Sequence, residues 1–320
     1  MKTATRLRYL LLVLLTCGGG AWAARYPLPA VANDLIGQPL LVKASRSETL
    51  LDIARSHGVG QEEILLANPE VDRWLPEEGD PVWIPTEFIL PDARREGLVL
   101  NLPEMRIYHF HRGNGDRPAF VDTYPASIGR MDWRTPLGDT RIVRKQRNPS
   151  WYPPKSVKQE AVDAGESLPD VVPPGPDNPL GAYSLRLGVP GYLIHGTNKP
   201  YGVGMRVTHG CVRLLPEDIE ELFARVRVGT PVQILNQPVK TGWQDGVLYI
   251  EVHPPLDEDH PAQKDLLRFT LERVYAELEK RPAVLDGQAL LGAVKKPLGV
   301  PVAVSKQGEK GRSLGNSWDR

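Results

Sequence analysis

Cys211 has His209 two residues before it and Arg213 two residues after it, and a second histidine, His195, stands a short way upstream. A thiol becomes a strong nucleophile when a neighbouring base or positive charge favours its thiolate. Residues 194–214, IHGTNKPYGVGMRVTHGCVRL, therefore hold the parts of a Cys/His acyl-transfer centre in one segment. The residue types alone leave two other readings open, an inert buried cysteine and a zinc site made of His195, His209 and Cys211. The segment lacks the paired Cys or His spacings of common zinc modules, which weighs against the metal.

The flanking sequence indicates how these groups are presented. Residues 191–195, GYLIH, read as a short apolar strand after a turn glycine, which places His195 at a strand end. His209-Gly210-Cys211 reads as a tight turn feeding a second strand, Val212 to Leu214. Side chains alternate along an extended chain, so His209 and Cys211 can share a face while Gly210 lets backbone N–H groups crowd together as an oxyanion hole. Gly196, Gly202 and Gly204 allow the intervening loop to bring His195 in from the neighbouring strand.

The pattern His-Gly-Thr, a glycine-bearing loop and Thr-His-Gly-Cys-Val-Arg resembles the signature of the L,D-transpeptidases with a YkuD-type catalytic domain. Within that family the closer resemblance is to the ErfK/YbiS/YcfS/YnhG group, which also shows segments like Trp151-Tyr152-Pro153-Pro154, Gly175-Pro176-Asp177-Asn178-Pro179 and Val228-Gly229-Thr230. The resemblance runs from about Leu98 to Pro255. It implies that Cys211 is acylated, that His195 donates and accepts the proton, and that the Gly196 backbone carbonyl orients the imidazole. It further implies that His209 and Gly210 shape the pocket and oxyanion site, that Arg213 lies beside the thiol, and that Trp151, Tyr152, Thr197 and Thr208 contact substrate.

At 320 residues the chain has room for one sizeable domain and one or two small ones. Lys plus Arg and Asp plus Glu both number 39, so no basic excess points to nucleic acid. Residues 1–23 read as an export signal: Lys2, Arg6 and Arg8 lead an apolar run from Tyr9 to Leu15, and Ala21-Trp22-Ala23 offers small residues for cleavage. The run is too short to cross a bilayer. A periplasmic location follows. Thr16 before Cys17 is a poor fit to a lipoprotein cleavage site, so no lipid anchor is expected. Cleavage after Ala23 would leave Cys211 unpaired in an oxidising compartment, which suggests a reactive role.

Residues 24–38 read as a linker or an extended lead-in strand. Residues 39–87 follow with a strand at Leu40-Leu41-Val42, helices at 49–57 and 61–68, and a closing strand at Val82-Trp83-Ile84-Pro85. That order resembles the LysM module, a βααβ unit that binds N-acetylglucosamine-containing glycans, on Thr49-Leu50, Ile53-Ala54, Gly58, Asn68-Pro69, Leu75, Gly79 and Ile84-Pro85. Ser47-Glu48 departs from the module's usual Gly-Asp.

From residue 97 to 236 short alternating runs predict a mainly β catalytic domain, sandwich-like or barrel-like, with a short helix from Pro216 to Val226. Gly113-Asn114-Gly115-Asp116 is a hairpin signal, and His109 and His111 read as packing or surface residues. The Pro/Gly-dense stretch 148–179 reads as a loop that walls the cleft, closes over it, or merely connects strands. Residues 237–256 read as a strand extension of that domain, 257–304 as a C-terminal helical extension with an amphipathic helix near 262–280, and 305–320 as a disordered tail.

In the resembled family the donor is a peptidoglycan tetrapeptide stem, cut between its third residue, a diamino acid, and its terminal D-alanine, with no metal or organic cofactor. The acceptor amine is either a second stem, giving a 3–3 cross-link, or the C-terminal lysine of an outer-membrane lipoprotein; water instead would make a hydrolase. A non-catalytic wall-binding protein resting on residues 39–87 and a cysteine peptidase are the competing classes. The expected partners are thus stem peptides and glycan strands.

Overall fold

The computed structural model describes residues 24–306 other than 30–31, 115–117, 131–132, 258 and 260. The leader 1–23, the tail 307–320 and residues 115–116 of the hairpin signal at 113–116 lie outside the described residues.

A nine-stranded sheet organises the molecule. Its spatial order is Ala24–Pro27, Phe120–Pro125, Arg106–His111, Gly97–Asn101, Pro231–Leu235, Gly138–Arg147, Tyr183–Leu187, Leu193–His195 and Val212–Arg213. Neighbours are antiparallel except at two places, where Pro231–Leu235 runs parallel to Gly97–Asn101 and Val212–Arg213 runs parallel to Leu193–His195. The fold is mainly β, a large curled sheet. Its core face buries Leu98, Leu100, Ile107, Leu185, Ile194, Val212 and Val232 against Ile219, Leu222 and Phe223 of the helix Pro216–Arg225. That helix starts where expected, with a proline in its first turn and Glu217 and Asp218 beside its positive end.

Two expectations need correction and a third divides. Of the two readings of 24–38, linker and lead-in strand, Ala24–Pro27 takes the strand: it pairs with Phe120–Pro125 at the sheet edge, where a proline at the strand end costs no ladder bond, and Leu35–Gly37 pairs with Glu87–Ile89. Residues 237–256 do not lengthen the catalytic sheet. Val239–Gln244 and Val247–Val252 form a hairpin that takes Pro301–Ala303 as its third strand and packs its own core against the helices Leu266–Lys280 and Gly287–Lys295. Ser305 and Lys306, assigned to the tail, pair with Val284–Leu285. Among the described residues no helix is long and apolar enough to cross a membrane.

The hairpin is tied to the large sheet by a buried charge cluster. The Lys240 ammonium donates to Glu104 at 2.8 Å, to Glu251 at 2.7 Å and to the Ile89 carbonyl at 2.8 Å. Their mutual attraction offsets part of the desolvation cost that each buried charge carries.

Residues 40–84 fold as a βααβ unit with a separate core of Leu50, Ile53, Ile64, Val82 and Ile84. Thr49 and Asp52 form a reciprocal capping box that starts the helix Leu50–Ser56. Asn68 ends the helix Gln61–Ala67 by donating to the Trp83 carbonyl and accepting from the Trp83 N–H, both at 2.7 Å. The unit rests on the loop that joins His195 to His209. The N–H groups of Gln61 and Glu62, free at a helix start, donate to the carbonyls of Val203 and Gly204 at 3.2 and 3.0 Å. Gly60 and Gly204 touch backbone to backbone, and a Cβ on Gly204 would sit 2.5 Å from the Gly60 Cα. Glu63 then holds buried Arg106 of the sheet through two bonds of 2.7 and 2.8 Å.

Candidate active site

Strand register puts the chemistry-bearing residues on one face. Ser184 lies opposite His195, and His195 opposite Arg213, while Ile194 and Val212 between them point into the core. Leu193, His195, Cys211 and Arg213 therefore face away from the core and line a cleft of ≈ 430 Å³. Trp151, Tyr152, Thr208 and His209 line it too.

His195 is 5% exposed. Its Nδ1 lies 2.6 Å from the Gly196 carbonyl oxygen, which can only accept, so Nδ1 carries the proton and Nε2 is the basic nitrogen. Burial, and then the Arg213 charge, lower its pKa to about 4, against the opposing pull of the Gly196 and Leu180 carbonyls. The imidazole is neutral at neutral pH.

The Cys211 thiol is half-buried, with Sγ 3.7 Å from the Gly191 carbonyl oxygen. Burial raises its pKa; a backbone hydrogen bond from Leu193 and the Arg213 charge pull the other way. Burial thus favours the uncharged form of each group. The turn that delivers the thiol needs glycine: Gly210 has φ +93°, and a Cβ there would stand 2.9 Å from the Tyr192 ring. Thr135 Oγ1 donates to the Gly210 carbonyl at 3.0 Å and closes the turn from behind.

The remaining expected residues divide. Arg213 lines the cleft, partly buried, and burial lowers its pKa. Thr208 donates its hydroxyl to the Cys211 carbonyl at 2.5 Å, so it holds the Cys211 backbone rather than offering a free donor to the cleft. Thr197 is buried and does not line the cleft; its Oγ1 accepts from the Lys199 N–H at 2.9 Å. His209 Nε2 is engaged with Glu160 at 2.7 Å, and its ring stands edge-on to Trp133. Among the described residues, His195, His209 and Cys211 do not converge as a metal-binding trio. The two clusters of donor atoms that do converge are occupied by cations: Arg25 and Arg225 hold Asp122 of the His109/His111/Asp122 group, and Lys240 holds Glu104 and Glu251 beside His253.

Sequence reading missed two supports. The stretch 148–179 contains a helix, Lys155–Asp163, whose Glu160 bonds both His209 and Arg130, and the two partners depress its pKa. Val157 and Ala161, one turn apart, were its faint signal. Asn178, fully buried, donates to the carbonyls of Pro149, Val172 and Pro173 and accepts from the Leu180 N–H. It pins the proline-rich loop that carries Trp151 and Tyr152 to the segment entering the His195 strand pair.

Residues 95–234 match the family model of the L,D-transpeptidase catalytic domain, YkuD. The chain is 40% identical over 291 residues to the "Probable L,D-transpeptidase YbiS" of Escherichia coli K12, covering 89% of this chain and 93% of that one. It is 42% identical over 292 residues to the "Probable L,D-transpeptidase ErfK/SrfK" of the same organism, covering 88% and 91%. With "Probable L,D-transpeptidase YcfS", also of E. coli K12, it shares 37% over 292 residues, 89% and 90% of the two chains. On these matches, and with a cysteine, a histidine and an arginine brought to one cleft by adjoining strands, the chain belongs to the L,D-transpeptidase family with a YkuD catalytic domain.

Proposed function

We propose that this protein is a periplasmic L,D-transpeptidase in which Cys211 forms a thioester with a peptidoglycan tetrapeptide stem. The observation that carries the reading is the 2.6 Å contact of His195 Nδ1 with the Gly196 carbonyl, which assigns the proton to Nδ1 and leaves Nε2 as the basic nitrogen for the cleft that holds the thiol. Nε2 takes the Sγ proton as sulfur attacks the carbonyl of the stem's third residue. The carbon–nitrogen bond to D-alanine breaks, and the departing amine takes the proton from the imidazolium. An acceptor amine then attacks the thioester, gives its proton to Nε2, and the sulfur leaves and is reprotonated. Backbone N–H groups at the Gly210–Cys211 turn are the proposed donors to the oxyanion. Because burial raises the thiol's pKa and lowers the imidazole's, proton transfer is coupled to attack rather than completed beforehand.

His209, held by Glu160, lines the cleft together with Trp151 and exposed Tyr152. The βααβ unit at 39–87 is proposed to bind wall glycan. The acceptor is the lysine of a small lipoprotein or the side-chain amine of a second stem; no cofactor takes part. Incubating the full-length mature chain with muropeptides and each amine, followed by mass spectrometry, tests the scheme. The expected results are a Cys211 adduct heavier by the stem less D-alanine, an amide product, and neither with Cys211→Ala. Release of free acid alone in the presence of amine would make the protein a hydrolase, and no adduct would reject the scheme.

A further inference from the structure

The cleft floor extends beyond the thiol and the imidazole across two more strands. Arg186 sits next to Leu193 in the register of its strand pair, and Arg144 lies directly opposite Arg186 on the next strand. A row of side chains therefore runs from Cys211 through Leu193 and Arg186 to Arg144. At about 4.8 Å per strand the Cα atoms of the two arginines stand roughly 10 and 14 Å from that of Cys211.

Arg144 faces the cleft only because of a bulge. The pairing register jumps between Ile142 and Arg144, so Val143 is the extra residue. Without it Arg144 would share the face of Ile142, which is fully buried in the core; with it, Lys145 turns to the helix side, where its ammonium meets the Phe223 and Val226 carbonyls, and Arg144 turns outward. Two like charges directly across a strand pair repel one another. Among the described residues no carboxylate answers them: neither has an ion pair, and the cleft lining contains Arg144, Arg186 and Arg213 but no Asp or Glu. The chain as a whole has no net charge, so this local excess is not a consequence of composition.

We propose that Arg144 and Arg186 are a specificity clamp for a carboxylate on the acyl half of the donor stem, the part that stays on Cys211. Two guanidinium forks converging on one carboxylate relieve their mutual repulsion and match its planar geometry. The backbones of Arg186 and Arg144 lie two and three strands from that of Cys211, on the side away from the leaving residue's own terminal carboxylate if the acyl half runs along this row. The inference rests on the acyl-transfer reading above.

The test uses the full-length mature protein, wild type and Arg144→Gln/Arg186→Gln, and follows the rate of Cys211 acylation by mass spectrometry. Donors are the free stem, stems amidated in turn at each acyl-half carboxylate, and a stem amidated at the terminal carboxylate. Expected is a rise of about tenfold or more in KM for the double variant with the free stem, at similar kcat, since a charged hydrogen bond contributes more than one decade of affinity. Amidation at one acyl-half carboxylate should impair the wild type as much and leave the variant unaffected; terminal amidation should impair both equally. Arg186→Lys should recover part of the loss. Equal sensitivity of both proteins to every amidation, or an unchanged KM in the variant, overturns the clamp while leaving acyl transfer intact. Failure of the wild type to acylate with any stem overturns the acyl-transfer reading and the clamp together.

Discussion

His195 and Arg213 stand side by side on parallel strands, so a guanidinium faces the imidazole whose protonation it opposes. The sulfur gains from the same charge, which favours its anion. One arginine thus favours the thiolate and disfavours the imidazolium, so its two effects on a proton passing from Cys211 to His195 oppose one another.

The first prediction concerns pH. The pKa of His195 falls from 6.5 to about 4 in the folded chain, so the unfolded state binds the proton more readily and acid favours unfolding. The contribution of the neutral ring is complete above pH 6.5 and is lost as pH falls towards 4, roughly 3 kcal/mol in all. His109, lowered to about 3 by burial and then by His111, acts with the same sign. Urea titrations at pH 7 and pH 4.5 should show lower stability in acid. In the same window acylation should stay high down to pH 5, and an acid limb centred near 6.5 would contradict the assigned environment.

Gly210→Ala should cut acylation by at least about tenfold, since a Cβ at φ +93° carries about 1–3 kcal/mol of backbone strain in addition to the clash with Tyr192. Adding Tyr192→Ala removes the clash and not the strain. Rapid-quench mass spectrometry should therefore find only partial recovery in the double variant.

Glu63→Ala leaves the buried Arg106 guanidinium without its carboxylate and should cost roughly 3–5 kcal/mol in denaturant unfolding. Replacing both residues by apolar ones of similar size should cost less than the single change. An exposed pair such as Arg268 and Glu272 should give no comparable loss.

Glu160 is half-exposed, so its carboxylate serves alignment more than stability. Glu160→Gln should leave the melting temperature near wild type while raising KM for the donor severalfold, read by steady-state kinetics. A loss confined to kcat would instead place His209 in proton transfer.

The strand ends carrying His195 and Cys211 were legible because apolar alternation and glycine punctuation coincide there with the reactive side chains. The βααβ order was legible for the same reason, each element being bounded by a cap or a turn. Distant partnerships were not: nothing local says that Pro301–Ala303 closes the hairpin at 239–252, or that Ala24–Pro27 borders the large sheet. Glu160 was hidden because proline-rich flanks mask a helix of nine residues. The outward turn of Arg144 depends on one unpaired residue, which period-two reasoning cannot foresee.

The meeting of Gly60 with Gly204 makes the stretch between His195 and Cys211 a shared part of two folding units. Cutting away the smaller unit would strip the Val203 and Gly204 carbonyls of their donors, so it is no detachable tether. A tug on that unit would be felt as tension in the very ribbon that ends at the sulfur.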